Sequence, residues 1–155
     1  MAGVHYSIDF DGQEKLQRRL NQFLKQGTSL QPAMRDIGEM LLVSHDQRFR
    51  DQKSPEGVPW APLSPKYQKN KPKHKNEILT LNKFLSGHLT YQSFGNTLFF
   101  GTPLEYGAIH HYGGSPDLRP SNAAIPARPW LGVDEDDKAE IYDILSAFLM
   151  KMLNE

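Results

Sequence analysis

The chain has 155 residues and a mass of 17.7 kDa, with 38% apolar residues and a mean hydropathy of -0.59. No run approaches the roughly 18 apolar residues of a membrane-spanning helix. No basic stretch followed by an apolar one opens the chain, so export by a signal peptide is not expected, and the absence of Cys removes disulfides, thiolate metal ligands and a cysteine nucleophile.

The formal charge is zero, with 18 Lys plus Arg against 18 Asp plus Glu, but the charges are unevenly placed. Residues 1–53 carry 8 basic and 7 acidic side chains, residues 54–93 carry 6 and 2, and residues 94–155 carry 4 and 9. A basic middle and an acidic end make the chain dipolar. That layout suits self-association or docking between charged layers; solvated faces of differing sign are the plainer alternative. The length fits one domain, taken as residues 1–155.

Val4, Tyr6, Ile8 and Phe10 alternate with polar residues, which predicts a half-buried strand stopped by Asp11-Gly12. Leu16, Leu20, Phe23 and Leu24 share one helical face, so residues 13–26 read as an amphipathic helix ending at Gly27. Thr28 or Ser29 suits the cap of a second helix, with Pro32 in its first turn. Met34, Ile37, Leu41, His45 and Phe49 keep one face of it through about Arg50.

Residues 53–76 hold five prolines, which remove donors and block helix interiors, so a long loop is predicted over about 53–77. Lys66, Lys69, Lys71, Lys73 and Lys75 make its second half basic, with Tyr67 beside them. Such a run serves solubility, a protein partner, or phosphate contact with Tyr67 stacking on a base. Residues 78–85 fit a strand or a short helix equally. A hairpin follows from about 88 to 101, turning at Gly95-Asn96. Residues 103–129 are turn-rich. The last helix opens at Asp134 with four consecutive acids, where the helix dipole favours them. Ile141, Ile144, Leu145, Phe148, Leu149 and Met152 form its apolar stripe. The expected fold class is α+β: a small antiparallel β-sheet packed against about three α-helices, with the long Pro/Lys-rich loop.

Signals for chemistry are weak. His110 and His111 are adjacent and point apart, and no H-E-x-x-H or H-x-x-H spacing occurs. Ser86 and His88 lack a nucleophile elbow. The acids at 134–137 are ordinary at a helix start, and Gly113-Gly114 lacks the setting of a phosphate loop. No catalytic, cofactor or metal residues are therefore assigned. Two segments are unusual. Trp60 sits between Pro59 and Pro62 on a stiff loop, either plugging a core gap or anchoring an interface. Arg128 is flanked by Pro126 and Pro129, which suits bidentate binding of a carboxylate in the same chain or a neighbour, and Trp130 follows it.

These residues bring a family into view. Gly57-x-Pro59-Trp60-x-Pro62-Leu63 resembles the G-x-P-W-x-P-L opening of the phage virion morphogenesis family, the tail-completion proteins of Mu-like and P-two-like contractile-tailed phages. Leu85-Ser86-Gly87-His88-Leu89 resembles its Leu-Thr/Ser-Gly-x-Leu element, with Ser86 and His88 where Thr and Arg are commoner. Tyr106-x-Ala108-Ile109-His110-x-Tyr112-Gly113-Gly114 is similar to Y-A-x-I-H-x-F-G-G. Ile125-Pro126-Ala127-Arg128-Pro129-Trp130-Leu131-Gly132 is similar to I-P-A-R-P-F-L-G, with Trp130 for the usual Phe.

The resemblance implies a non-enzymatic virion protein that completes the head-proximal end of the tail, or the neck, so that head and tail join. It implies a ring of identical copies, six by first expectation and twelve as the alternative, in contact with tail tube, sheath or neck proteins. The ring would lie near DNA in the channel, with no membrane partner. The implied location is the neck or head-proximal tail of the virion, and the host cytoplasm during assembly. The loops around Trp60 and 66–75 are expected to order on docking. The alternatives are a capsid-side morphogenesis factor and, from another class, a small metal-dependent hydrolase using His110, His111 and the acids at 134–137.

Overall fold

The computed structural model describes residues 14–115 and 124–154. The strand expected at Val4 to Phe10 lies outside the described residues. Three long helices carry the fold: α1 (Glu14–Lys25), α2 (Gln31–Asp51) and α6 (Glu135–Leu153). Between α2 and α6 come α3 (Pro65–Asn70), α4 (Phe84–Gly87), the strands β1 (Thr90–Phe94) and β2 (Thr97–Gly101), and α5 (Tyr106–Tyr112). The α+β class therefore holds, with helices α1, α2 and α6 where periodicity placed them.

Helix α1 ends in a Schellman motif. Gly27 has φ +82°, Thr28 N–H reaches Phe23 O at 3.0 Å and Gly27 N–H reaches Leu24 O at 3.0 Å. The start of α2 differs in detail from expectation: Leu30 is the N-cap residue, while the Ser29 hydroxyl accepts from Gln31 N–H at 3.2 Å. At its other end α2 stops at Gln52, a left-handed residue with φ +53°. Helix α6 begins with a reciprocal capping box, Asp137 N–H to Asp134 Oδ1 at 2.8 Å and Asp134 N–H to Asp137 Oδ2 at 3.1 Å.

The described sheet is one antiparallel hairpin, paired from Thr90↔Gly101 to Phe94↔Thr97 around Gly95-Asn96. Tyr91, Ser93, Leu98 and Phe100 face inward. Tyr91 lies against Gly38 of α2, where an added Cβ would stand 2.5 Å from its ring. Tyr91 OH donates to Glu39 Oε1 at 2.6 Å and Gln31 Nε2 donates to Ser93 Oγ at 2.6 Å. The hairpin is thus fastened to α2 by contact and by polar side chains. Met34, Ile37 and Leu41 of α2, Leu16 of α1, and Ile141, Leu145 and Leu149 of α6 share one core with Phe100, Trp60 and Trp130.

Two expectations are corrected. The 53–77 segment is not helix-free: α3 forms inside it because Pro65 falls at the first turn, where its missing N–H costs nothing, and Ser64 Oγ accepts from Tyr67 N–H at 3.3 Å. Helix α5 occupies part of the stretch read as turns, and ends at Gly113.

Candidate functional site

The motif segments meet around one extended strap, residues 125–132, threaded between α2, α5 and the Trp60 loop. Most of its fastenings are hydrogen bonds to its own backbone. Trp60 Nε1 donates to Pro129 O at 2.7 Å. Arg48 of α2 donates through Nη1 to Gly132 O at 2.9 Å and Trp130 O at 3.3 Å. Strap N–H groups reach His110 O (from Arg128, 2.8 Å), His111 Nδ1 (from Leu131, 3.3 Å) and His45 Nε2 (from Gly132, 3.3 Å). Gly114 and Ile125 exchange a pair of backbone bonds at 2.8 and 3.1 Å.

Trp60 and Trp130 belong to the core, at 4% and 0% exposure. Trp60 meets Phe49 edge-on with ring centres 5.4 Å apart, and Trp130 Nε1 donates to Gly107 O at 2.9 Å. Of the two readings of Trp60, the core plug is the one observed. Its loop is already packed in the single chain, with Trp60 N–H on Gln52 O at 2.9 Å. Trp130 likewise presents no surface to a partner.

Arg128 is an intrachain brace, and its partners are not carboxylates. Nε donates to Ala61 O at 2.7 Å and Nη2 to Pro62 O at 3.0 Å. The flanking prolines stiffen the backbone that carries the guanidinium to these two carbonyls. Burial lowers its pKa from the ordinary value.

The other motif residues sort by place. Gly113 turns the chain from α5 toward the strap with φ +81°, and a Cβ there would meet Ala127 N and Ile125 O at 2.9 Å. Leu131 is buried; Leu89, Leu63 and Pro129 are half-buried. Gly57, Pro59, Gly87 and Pro126 are exposed. Tyr106 and Ile109 lie on the outer face of α5, and His110 is half-buried with its Nδ1 lacking a hydrogen-bond partner. Burial, then the Arg128 charge, keeps the His110 imidazole below its ordinary pKa.

The lysine run lies apart from the strap. Lys66, Lys69, Lys73 and Lys75 are exposed, but Lys71 is buried and donates to His74 O and Glu77 O, both at 2.6 Å. It is a structural lysine that folds the 71–77 turn around its ammonium, so only four of the five meet solvent. Burial lowers its pKa.

Sequence reasoning missed the polar centre of this assembly. Arg48, 3% exposed, binds Asp137 Oδ2 at 3.0 Å and Asp134 Oδ2 at 3.5 Å through Nη2, besides the two strap carbonyls. His45 is buried one turn earlier. Its Nδ1 donates to Leu41 O at 2.8 Å and Nε2 accepts from Gly132 N–H, so both ring nitrogens are engaged. Burial, followed by the Arg48 charge, lowers its pKa to about 3. Gln52 was missed too: beyond its bond to Trp60, its Oε1 accepts from Ile78 N–H at 2.6 Å. The periodicity held the signal for Arg48, since 34, 37, 41, 45 and 48 continue one helical face.

Three of the groups considered for metal chemistry are drawn into these contacts. His111 accepts from the strap, and Asp134 and Asp137 cap α6 and pair with Arg48. Among the described residues no group of three His, Asp or Glu is placed to hold a metal ion, and no helix is long and apolar enough to cross a membrane.

Comparison with known proteins agrees with the motifs. Residues 11–150 match the model of the phage virion morphogenesis family. A relative in Escherichia phage Mu, provisionally named capsid assembly protein G, is 34% identical over 115 residues, which cover 72% of this chain and 74% of that protein. A Mu-like prophage protein of Haemophilus influenzae, FluMu G protein 1, is 28% identical over 125 residues, covering 78% and 80%. No solved structure matches the chain. With its motifs gathered on one strap and the family match spanning nearly its whole length, the chain belongs to the phage virion morphogenesis family.

Proposed function

We propose that the protein is a non-enzymatic structural part that completes the head-proximal end of the tail, or the neck, so that head and tail join. The observation carrying this reading is the use made of the motif residues. Trp60, Arg128, Trp130, Leu131 and Gly113 knit a braced body around the strap, and the His45 and His111 imidazoles and the Asp134 and Asp137 carboxylates are engaged in that bracing. A part that works by shape and by its outer faces needs such a body. Copies associate in a ring, six in the first instance and twelve as the alternative, against tail tube, sheath or neck proteins and near channel DNA. A closed ring of this kind needs two different patches on each copy.

A capsid-side role in head assembly is the second reading, favoured by the name of the phage Mu relative. Electron microscopy of a lysate whose reading frame stops at Trp60 separates them. Filled heads beside detached tails are expected. Empty or malformed heads would replace tail completion by the capsid-side role, and normal particles would overturn both.

A further inference from the structure

The four exposed lysines stand on a braced arm. Ser64 caps α3, Gln68 Nε2 donates to Asn76 Oδ1 at 3.0 Å, and the Lys71 ammonium closes the 71–77 turn. The arm therefore exposes Lys66, Lys69, Lys73 and Lys75 on a braced backbone, with the Lys75 ammonium donating to Lys69 O at 3.4 Å. None of the ion pairs among the described residues involves any of the four.

A complementary surface exists on the same chain. Asp136, Glu140 and Asp143 fall at i, i+4 and i+7 on the outer face of α6, opposite Ile141 and Leu145. All three are exposed, and none enters an ion pair among the described residues. The stripe is about 10 Å long by helical rise, close to the length of α3. Among the described residues no ion pair joins arm and stripe, so neither neutralises the other within one copy.

We propose that the lysine arm of one copy docks on the Asp136, Glu140, Asp143 stripe of a second copy of this chain. The inference rests on the self-association proposed above and names its surface. Two different patches meet, so the contact is head-to-tail and repeats from copy to copy. Charge complementarity favours a second copy: the acidic stripe that matches the arm is carried by this same chain, and the dipole of one copy orients its arm toward the next copy's stripe.

The test uses the full chain and sedimentation velocity at low and high salt. Wild type should associate at about 50 mM salt and dissociate at about 500 mM, where screening shortens to a few ångströms. The arm reversal Lys66→Glu/Lys69→Glu/Lys73→Glu and the stripe reversal Asp136→Lys/Glu140→Lys/Asp143→Lys should each weaken association at least about tenfold. Mixing the two variants, or combining both reversals in one chain, should restore it. These are surface positions, and unchanged circular dichroism checks that each variant is folded. Association in wild type that neither reversal touches would overturn this surface and leave self-association standing. A monomer at low salt would overturn both. Loss of binding to a short DNA duplex in the arm reversal, with association intact, would assign the lysines to nucleic acid and overturn the proposal.

Discussion

Arg48→Met tests the view that the strap is held from beneath by one buried cation. Arg48 is 3% exposed, and its head satisfies Trp130 O, Gly132 O and the Asp137 carboxylate. Met keeps much of the stem's volume, so the loss is mainly electrostatic. It leaves Asp137, 5% exposed, as a buried charge without its partner. Breaking such a pair costs about 3–5 kcal/mol, and orphaned carbonyls cost about 1–3 kcal/mol each before any water enters. These costs overlap, so we expect a net loss of about 4 kcal/mol. For a domain this size, that is roughly 12 °C in Tm. Urea unfolding followed by tryptophan fluorescence suits the measurement, because Trp60 and Trp130 are both buried beside the change. Adding Asp137→Asn should recover about half the loss: it removes the stranded charge and keeps an oxygen for Asp134 N–H. A loss under about 1 kcal/mol, or a second substitution that deepens the damage, would refute the reasoning.

Two further predictions follow from the same region. The His45 pKa of about 3 lies below the unfolded value of 6.5, so between those pH values the unfolded chain binds the extra proton and stability rises with pH. Acidification from pH 7 to 5 should remove about 2 kcal/mol through this residue, and a denaturant series across pH should show that slope shrink in His45→Gln. Gly113→Ala combines a positive φ with a Cβ 2.9 Å from Ala127 N and Ile125 O, whereas Gly27→Ala meets nothing within 4 Å. The first should cost more than about 3 kcal/mol and the second about 1 kcal/mol in the same unfolding assay; equal costs would mean that the strap simply moves away.

What periodicity and punctuation govern was readable in the sequence. The apolar faces of α1, α2 and α6, the Gly27 stop, the acidic start of α6 and the Gly95-Asn96 hairpin all follow from local chemistry. The segments rich in proline and glycine were not, because their conformation is set by distant donors. Nothing near Arg128 announces that it will seek Ala61 O and Pro62 O, and nothing near Lys71 announces a buried ammonium. Arg48 and His45 were hidden by type: a polar residue on an apolar stripe reads as an interruption, until the strap supplies its partners more than eighty positions away. The motif match located the strap's residues by resemblance, but not their task. Trp60, Arg128 and Trp130 look outward as residue types and turn inward in the fold.

The separation between Arg48 and its carboxylate has a consequence for synthesis. The partners lie 89 positions apart, and the Gly132 carbonyl that shares the guanidinium lies 84 positions on. A nascent chain that has emerged only as far as the lysine arm carries a cation on an apolar helix face with nothing to neutralise it. Closure of the interior waits for the strap, residues 125–132, and the first turn of α6. Contacts this remote slow folding and defer it until the strap has been made. A chain released before the strap is made therefore lacks the contacts that neutralise Arg48 and brace the body.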